Sequence, residues 1–257
     1  LTLERPDAFL ELLRAFLEEV GETPTARSAR TMAAGEAREP LRWVALGDSY
    51  TIGTATHDER ERWPNQLVDG LASRGHMPGL ALVANLAVNG YTSRDVVDLE
   101  LPALDEHEPE FVSLLIGVND VVQGVPASTY EANVGTILDE LLRRLPASRI
   151  VAVSTPDYTV TPQGPSYGDP SRQAAGILQN NEILRRLAGA RGIPFVDIYD
   201  LSLQAAADRS LVADDGLHPS GAQYAAWVQR IGPVVAGMLA DAAGPADSAD
   251  AARTETR

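Results

Sequence analysis

The sequence of 257 residues contains no cysteine and no lysine. Without cysteine there can be no disulfide, no thiolate metal site and no thiol nucleophile. Without lysine, all 21 basic residues are arginine, and 36 acidic residues outweigh them to a net charge of −15. No basic patch stands out, so nucleic acid and anionic membrane surfaces are not expected as partners. No apolar run approaches the roughly 18 residues that a membrane span requires. A His-Glu-x-x-His zinc motif and a Gly-x-x-x-x-Gly-Lys phosphate loop are both missing, as is the Gly-x-Ser-x-Gly elbow of the α/β-hydrolases. No internal repeat is visible. No metal or other cofactor is expected.

What remains is ordinary for a globular protein: 44% hydrophobic and 22% charged residues. The length suits one large domain or two small ones. Residues 1–40 read as an appendage. Phe9, Leu12, Leu13, Phe16, Leu17 and Val20 follow helical spacing, and a Thr-, Ala-, Arg- and Glu-rich linker runs from Gly21 to Pro40. This helix is expected to pack on the outside of the domain or to mediate dimerisation. Glu4, Asp7, Glu11, Glu18 and Glu19 interrupt it, so it does not read as a secretory signal. A cytoplasmic location is therefore expected ahead of a secreted one. The acidic polar face also disfavours stable membrane association. Residues 241–257 have no apolar periodicity and are expected to be a disordered tail.

Between these ends, residues 41–240 alternate short β-prone runs with helical ones. The runs are Arg42–Leu46, Leu80–Leu86, Phe111–Ile116, Arg149–Ser154 and Phe195–Ile198. Helices are expected over about 64–75, from near Ser93, from Ser128 to Pro146, over 171–190 and over 219–240. Ser128 and Glu131 have the spacing of a capping box, and Pro219 suits a first helical position. Such alternation implies a parallel sheet covered on both faces, hence a three-layer α/β/α sandwich. Ligands of these sheets bind beyond the carboxyl ends of the strands.

Three motifs carry chemistry: Gly47-Asp48-Ser49-Tyr50, Gly117-Val118-Asn119-Asp120 and Asp215-Gly216-Leu217-His218-Pro219. A fourth piece, Asn89-Gly90, falls between the first two. Ser49, Gly90 and Asn119 each follow a strand by a few residues, which places all three on one edge. A serine hydroxyl is a weak nucleophile until a base takes its proton. Asp215 precedes His218 by three residues and can accept from one imidazole nitrogen, leaving the other to serve as that base. Taken singly, each motif could instead shape a turn or cap a helix. His57, His76 and His107 have no such partner in sequence.

The order Ser, Gly, Asn, Asp-x-x-His resembles the SGNH hydrolases, or GDSL esterase and lipase family, over about 41–239. The resemblance implies a flavodoxin-like sheet of five parallel strands. It also implies a carboxylic ester hydrolase with Ser49 as nucleophile, His218 as general base and Asp215 as orienting carboxylate. The family spacing selects Asp215 over the adjacent Asp214. Ser49, Gly90 and Asn119 correspond to the family's oxyanion hole. Tyr50 departs from the family's usual leucine and bears on substrate preference; Asp120 is expected to orient its neighbours. Candidate substrates are small soluble esters, with carbohydrate deacetylase, lysophospholipase and an inactive binding module as alternatives. Thr51–Trp63, Val121–Ala127 and Thr155–Pro170 are the loops expected to shape the pocket.

Overall fold

The structure, a computed structural model, describes residues 39–75 and 79–242. The expectations for the appendage over 1–38, for His76 and for the tail beyond 242 lie outside these residues. Five strands form one parallel sheet: β1 (Leu41–Gly47), β2 (Leu80–Asn85), β3 (Phe111–Leu115), β4 (Ile150–Val153) and β5 (Phe195–Val196). Their spatial order is β2-β1-β3-β4-β5. The chain leaves β1 toward opposite sides of the sheet at β2 and β3, creating the switch point where ligands of such sheets bind.

Alternation along the strands divides the core in two. Trp43 and Ala45 of β1 and Phe111 and Leu115 of β3 face one layer, packed with Trp63, Leu67 and Trp227. Val44, Leu46, Val112 and Leu114 face the other, packed with Val134, Ile137 and Leu184. The period of two sends successive side chains to opposite faces, and both faces are covered. All five residues of β3 are buried, as its unbroken apolar character suggests. Its one polar residue, Ser113, accepts from the indole N–H of Trp43 at 3.1 Å.

The first layer is built by α1 (Ser49–Ile52), α2 (Trp63–Ser73) and the long C-terminal helix over Gly221–Ala242. Opposite lie a composite helix α3 over 93–104, α5 (Ala127–Arg144) and α6 (Pro170–Gly189); short α4 (Val118–Val122) follows β3 and packs its valines on the first side. The short α7 (Tyr199–Ser202) precedes the last helix, here α8. This is the three-layer sandwich expected from the sequence.

Three local expectations are corrected. The Ser128–Glu131 capping box does not form, because α5 starts one residue earlier with Pro126 at the N-cap and no side-chain cap. Ser128 is thereby inside the helix, and Glu131 instead pairs with Arg186 at 2.6 Å. Pro219 does not open α8. It forms a β-bridge with Val212, which closes the intervening loop, and the helix begins at Gly221. Strand β5 is also shorter than its apolar run, since Ile198 takes its N–H to the Ser154 hydroxyl instead of a ladder partner.

Candidate active site

Because β1, β2 and β3 run parallel, the loops that follow them emerge on one edge. At the first, Gly47 has φ +152°, and a Cβ there would lie 2.3 Å from the Leu115 carbonyl oxygen. Glycine alone permits that approach of β1 to β3. Asp48 then caps α1 by accepting the Tyr50 N–H at 3.0 Å. Ser49 is the first residue of α1 and only 7% exposed. Its N–H belongs to the first turn, whose donors have no partner within the helix. The cap role that the sequence left open for these residues is thus taken by Asp48.

Burial pushes the Asp48 carboxyl up to about 7; the Tyr50 N–H opposes this and the Asp120 charge reinforces it. Asp48 is wholly buried, and its Oδ2 has no hydrogen-bond partner.

The second loop brings Asn89 and Gly90. Gly90 is exposed, with φ +83°, so the backbone rather than a crowding neighbour calls for glycine here. The third loop supplies Asn119 within α4. One hydrogen of its Nδ2 goes to the Tyr91 carbonyl at 2.9 Å, and an amide nitrogen carries two. Gln123 holds the same segment by donating to the Gly90 carbonyl at 3.1 Å. Asp120 is buried and accepts from the Ser93 N–H at 2.9 Å and the Ser93 hydroxyl at 2.5 Å. The orienting role expected for Asp120 is thus a tether between the second and third loops.

The bridge between Val212 and Pro219 presents Asp215 and His218 together. Asp215 Oδ2 meets His218 Nδ1 at 2.5 Å, while Oδ1 accepts the N–H groups of Leu217 at 2.9 Å and His218 at 3.0 Å. Partial burial would raise the Asp215 carboxyl, but hydrogen bonds from the imidazole and both amides outweigh it and hold the group below its ordinary value. An ionised carboxylate can only accept, so Nδ1 carries the shared proton and Nε2 is the free basic nitrogen. Asp214 is exposed and faces His57 at 3.5 Å, away from this pair.

Ser49, Tyr50, Asn89, Gly90, Asn119 and His218 line one cavity of about 230 Å³, closed further by Val118, Val122, Tyr158, Tyr167 and Leu217. Four of the sequence-predicted residues are brought to the same space, and Asp215 stands directly behind His218. Among the described residues, no group of three His, Asp or Glu side chains is arranged to hold a metal ion. The GDSL-like lipase/acylhydrolase family model matches residues 45–226. The chain belongs to this family.

Individual proteins of known name are similar to the chain at lower identity. A curated arylesterase of Vibrio mimicus is 30% identical over 106 residues, covering 41% of this chain. The match takes in half the length of that relative. A lipase/acylhydrolase of Enterococcus faecalis has the same fold, with TM-score 0.61 and 18% identity over 77% of this chain and 96% of its own. A variant of an acetyl xylan esterase from Geobacillus stearothermophilus also gives 0.61, at 19% identity over 77% of this chain and 95% of that one.

Against the family pattern, Tyr50 gains a role that sequence did not suggest. Its ring lies 5.3 Å from the His218 ring at 51° and is almost fully buried. The ring therefore supports the imidazole as well as lining the cavity. The loop expectations hold in part. Val122 and the T-shaped pair Tyr158–Tyr167, 5.9 Å apart, do wall the cavity. Residues of 55–61 do not; they border a separate polar groove of about 770 Å³ beside Ala213 and Ser220. The segment from Ser154 to Thr161 is packed into the interior. Its Ser, Thr and Asp side chains are buried, with Asp157 accepting from Thr159 N–H and the Tyr199 hydroxyl.

Proposed function

We propose that this protein is a serine esterase that hydrolyses carboxylic esters of small soluble substrates through an acyl-enzyme. The observation that carries the reading is the meeting of Ser49, Gly90, Asn119 and the Asp215-backed His218 around a single cavity. His218 Nε2 takes the Ser49 proton as Oγ attacks the ester carbonyl, and Asp215 steadies the resulting imidazolium. Negative charge then gathers on the carbonyl oxygen, where the backbone N–H groups of Ser49 and Gly90 and the amide of Asn119 receive it. His218 returns its proton to the departing alcohol. Water, deprotonated by the same nitrogen, attacks the acyl-enzyme, and the imidazolium gives that proton to Ser49 Oγ as the Oγ–acyl bond breaks and the acid leaves.

The cavity, at about 230 Å³, is smaller than the ~300–1,000 Å³ typical of drug-sized ligand sites. Its aromatic wall of Tyr50, Tyr158 and Tyr167 supports short acyl groups over long chains. Among the described residues, no helix is long and apolar enough to cross a membrane. The test is kcat/KM on p-nitrophenyl esters from acetate to palmitate, alongside phospholipid vesicles. A maximum at short chains supports the reading; a maximum at laurate or beyond, or stimulation by vesicles, overturns its substrate class.

A further inference from the structure

The composite helix α3 touches all three loops of the site. Its start follows the oxyanion segment directly: Thr92 donates to the Asp95 carboxylate through its N–H at 2.8 Å, and Ser93 is tied to Asp120. Two residues before Ser93, the Tyr91 carbonyl receives the Asn119 amide. Over Val96–Glu100 the helix widens into a π turn, with the Leu101 N–H reaching back to the Val96 carbonyl. Such turns are rare and concentrate at functional sites.

The turn ends on Glu100, an acid only 2% exposed although its neighbour Leu99 is 51% exposed. Glu100 Oε2 accepts the Gly47 N–H at 2.9 Å, two residues before Ser49, and Oε1 is buried without a partner. An isolated buried acid is costly to keep, and a leucine or alanine would fill a helix position without that cost. A core role does not account for a carboxyl here.

We propose that Glu100 is a positioning residue, clamping the Gly47–Ser49 turn to the helix that carries the oxyanion loop and so fixing Ser49 against Gly90 and Asn119. This rests on the esterase reading. Gly47 cannot be fixed by its own side chain, and its φ lies outside the range that other residues hold. Its N–H is the handle that remains. Burial, opposed by the Gly47 N–H and reinforced by the charges of Asp48 and Asp95, pushes the Glu100 carboxyl up to about 9. At neutral pH Glu100 is thus the protonated acid, one oxygen accepting and the other carrying hydrogen, a pattern that glutamine reproduces.

The test compares Glu100→Gln and Glu100→Leu with the wild-type chain at pH 7, using kcat and KM on p-nitrophenyl acetate and the labelling rate of Ser49 by a fluorophosphonate. Circular dichroism establishes that each variant is folded. Glu100→Gln is expected to stay within about threefold of wild type. Glu100→Leu is expected to lose about 10- to 100-fold in kcat and labelling rate with KM little changed, since a displacement near 1 Å can cost ~10²-fold. Should Glu100→Leu fail to fold, Glu100→Ala serves in its place. Unchanged kcat in a folded Leu or Ala variant overturns the clamp alone, and equal loss in Glu100→Gln overturns the accepting role. A wild-type chain that neither turns over ester nor labels at Ser49 overturns both the esterase reading and the clamp.

Discussion

Raising the pH from 5 to 8 is predicted to destabilise the wild-type fold in a way that Glu100→Gln removes. Glu100 and Asp48 are buried acids pushed up to about 9 and about 7. In an unfolded chain both would release their protons near pH 4. Below that value both states hold the proton, and the carboxyls do not alter stability. Above it the folded state keeps a proton that the unfolded state has lost, so stability falls as pH rises until the folded group ionises too. For Glu100 the whole interval from pH 5 to 8 lies inside that window. The slope is about 1.4 kcal/mol per pH unit for one group, which accumulates to roughly 4 kcal/mol over three units. Asp48 and the acids held low by arginine or His218 are common to both proteins, so the difference between them isolates Glu100. For a domain of this size ~1 kcal/mol corresponds to about 2–4 °C in Tm. The Tm advantage of Glu100→Gln should therefore widen by ~10 °C between pH 5 and 8, measured by calorimetry in matched ionic strength. An advantage constant across that range, or one that narrows, refutes the assignment of a buried protonated acid.

Other perturbations address the site itself. Asn119→Ala should lower kcat by about 10²–10³-fold, the usual cost of one oxyanion donor, with KM little altered; a raised KM at unchanged kcat would make Asn119 a binding residue. Tyr50→Leu restores the residue usual in the family but removes the ring beside His218. With aromatic contacts worth about 0.5–1.5 kcal/mol, kcat/KM should fall by up to ~10-fold, and a gain in activity on acetate esters would contradict the supporting role. Asp215→Asn should leave melting behaviour near wild type yet reduce kcat by about 10⁴-fold, since an amide can hold the wrong imidazole tautomer. A loss of less than about tenfold would remove Asp215 from the acid–base pair.

Much of this arrangement was legible in the sequence because it rests on period and spacing. The alternation of apolar runs with helical stretches gave the parallel sheet, and the sheet alone forces Ser49, Gly90 and Asn119 to one edge. The Asp215–His218 pair was readable because both partners lie in one five-residue loop. The contacts that were not readable are those between segments remote in sequence. Glu100 reaches Gly47 across 53 residues, and no local pattern marks an isolated Glu in an acidic helix as buried. Tyr50 against His218 is hidden for the same reason. The Ser128–Glu131 spacing misled because Pro126 starts α5 a residue early and Arg186 draws Glu131 away. The burial of Ser154–Thr161 was not readable because its composition is polar; side-chain to backbone hydrogen bonds make that composition compatible with the interior. The short helices over 199–211 carry too few apolar repeats for periodicity to register.

The central claim is that Ser49, activated by His218, forms a covalent acyl-enzyme. The most direct measurement is reaction of the native chain with a fluorophosphonate, followed by digestion and mass spectrometry of the labelled peptide, beside a Ser49→Ala control. One equivalent of label on Ser49, absent from the control, with parallel loss of ester turnover, is the predicted result. No label on the folded native chain, or label on another residue with turnover retained in Ser49→Ala, would contradict the account.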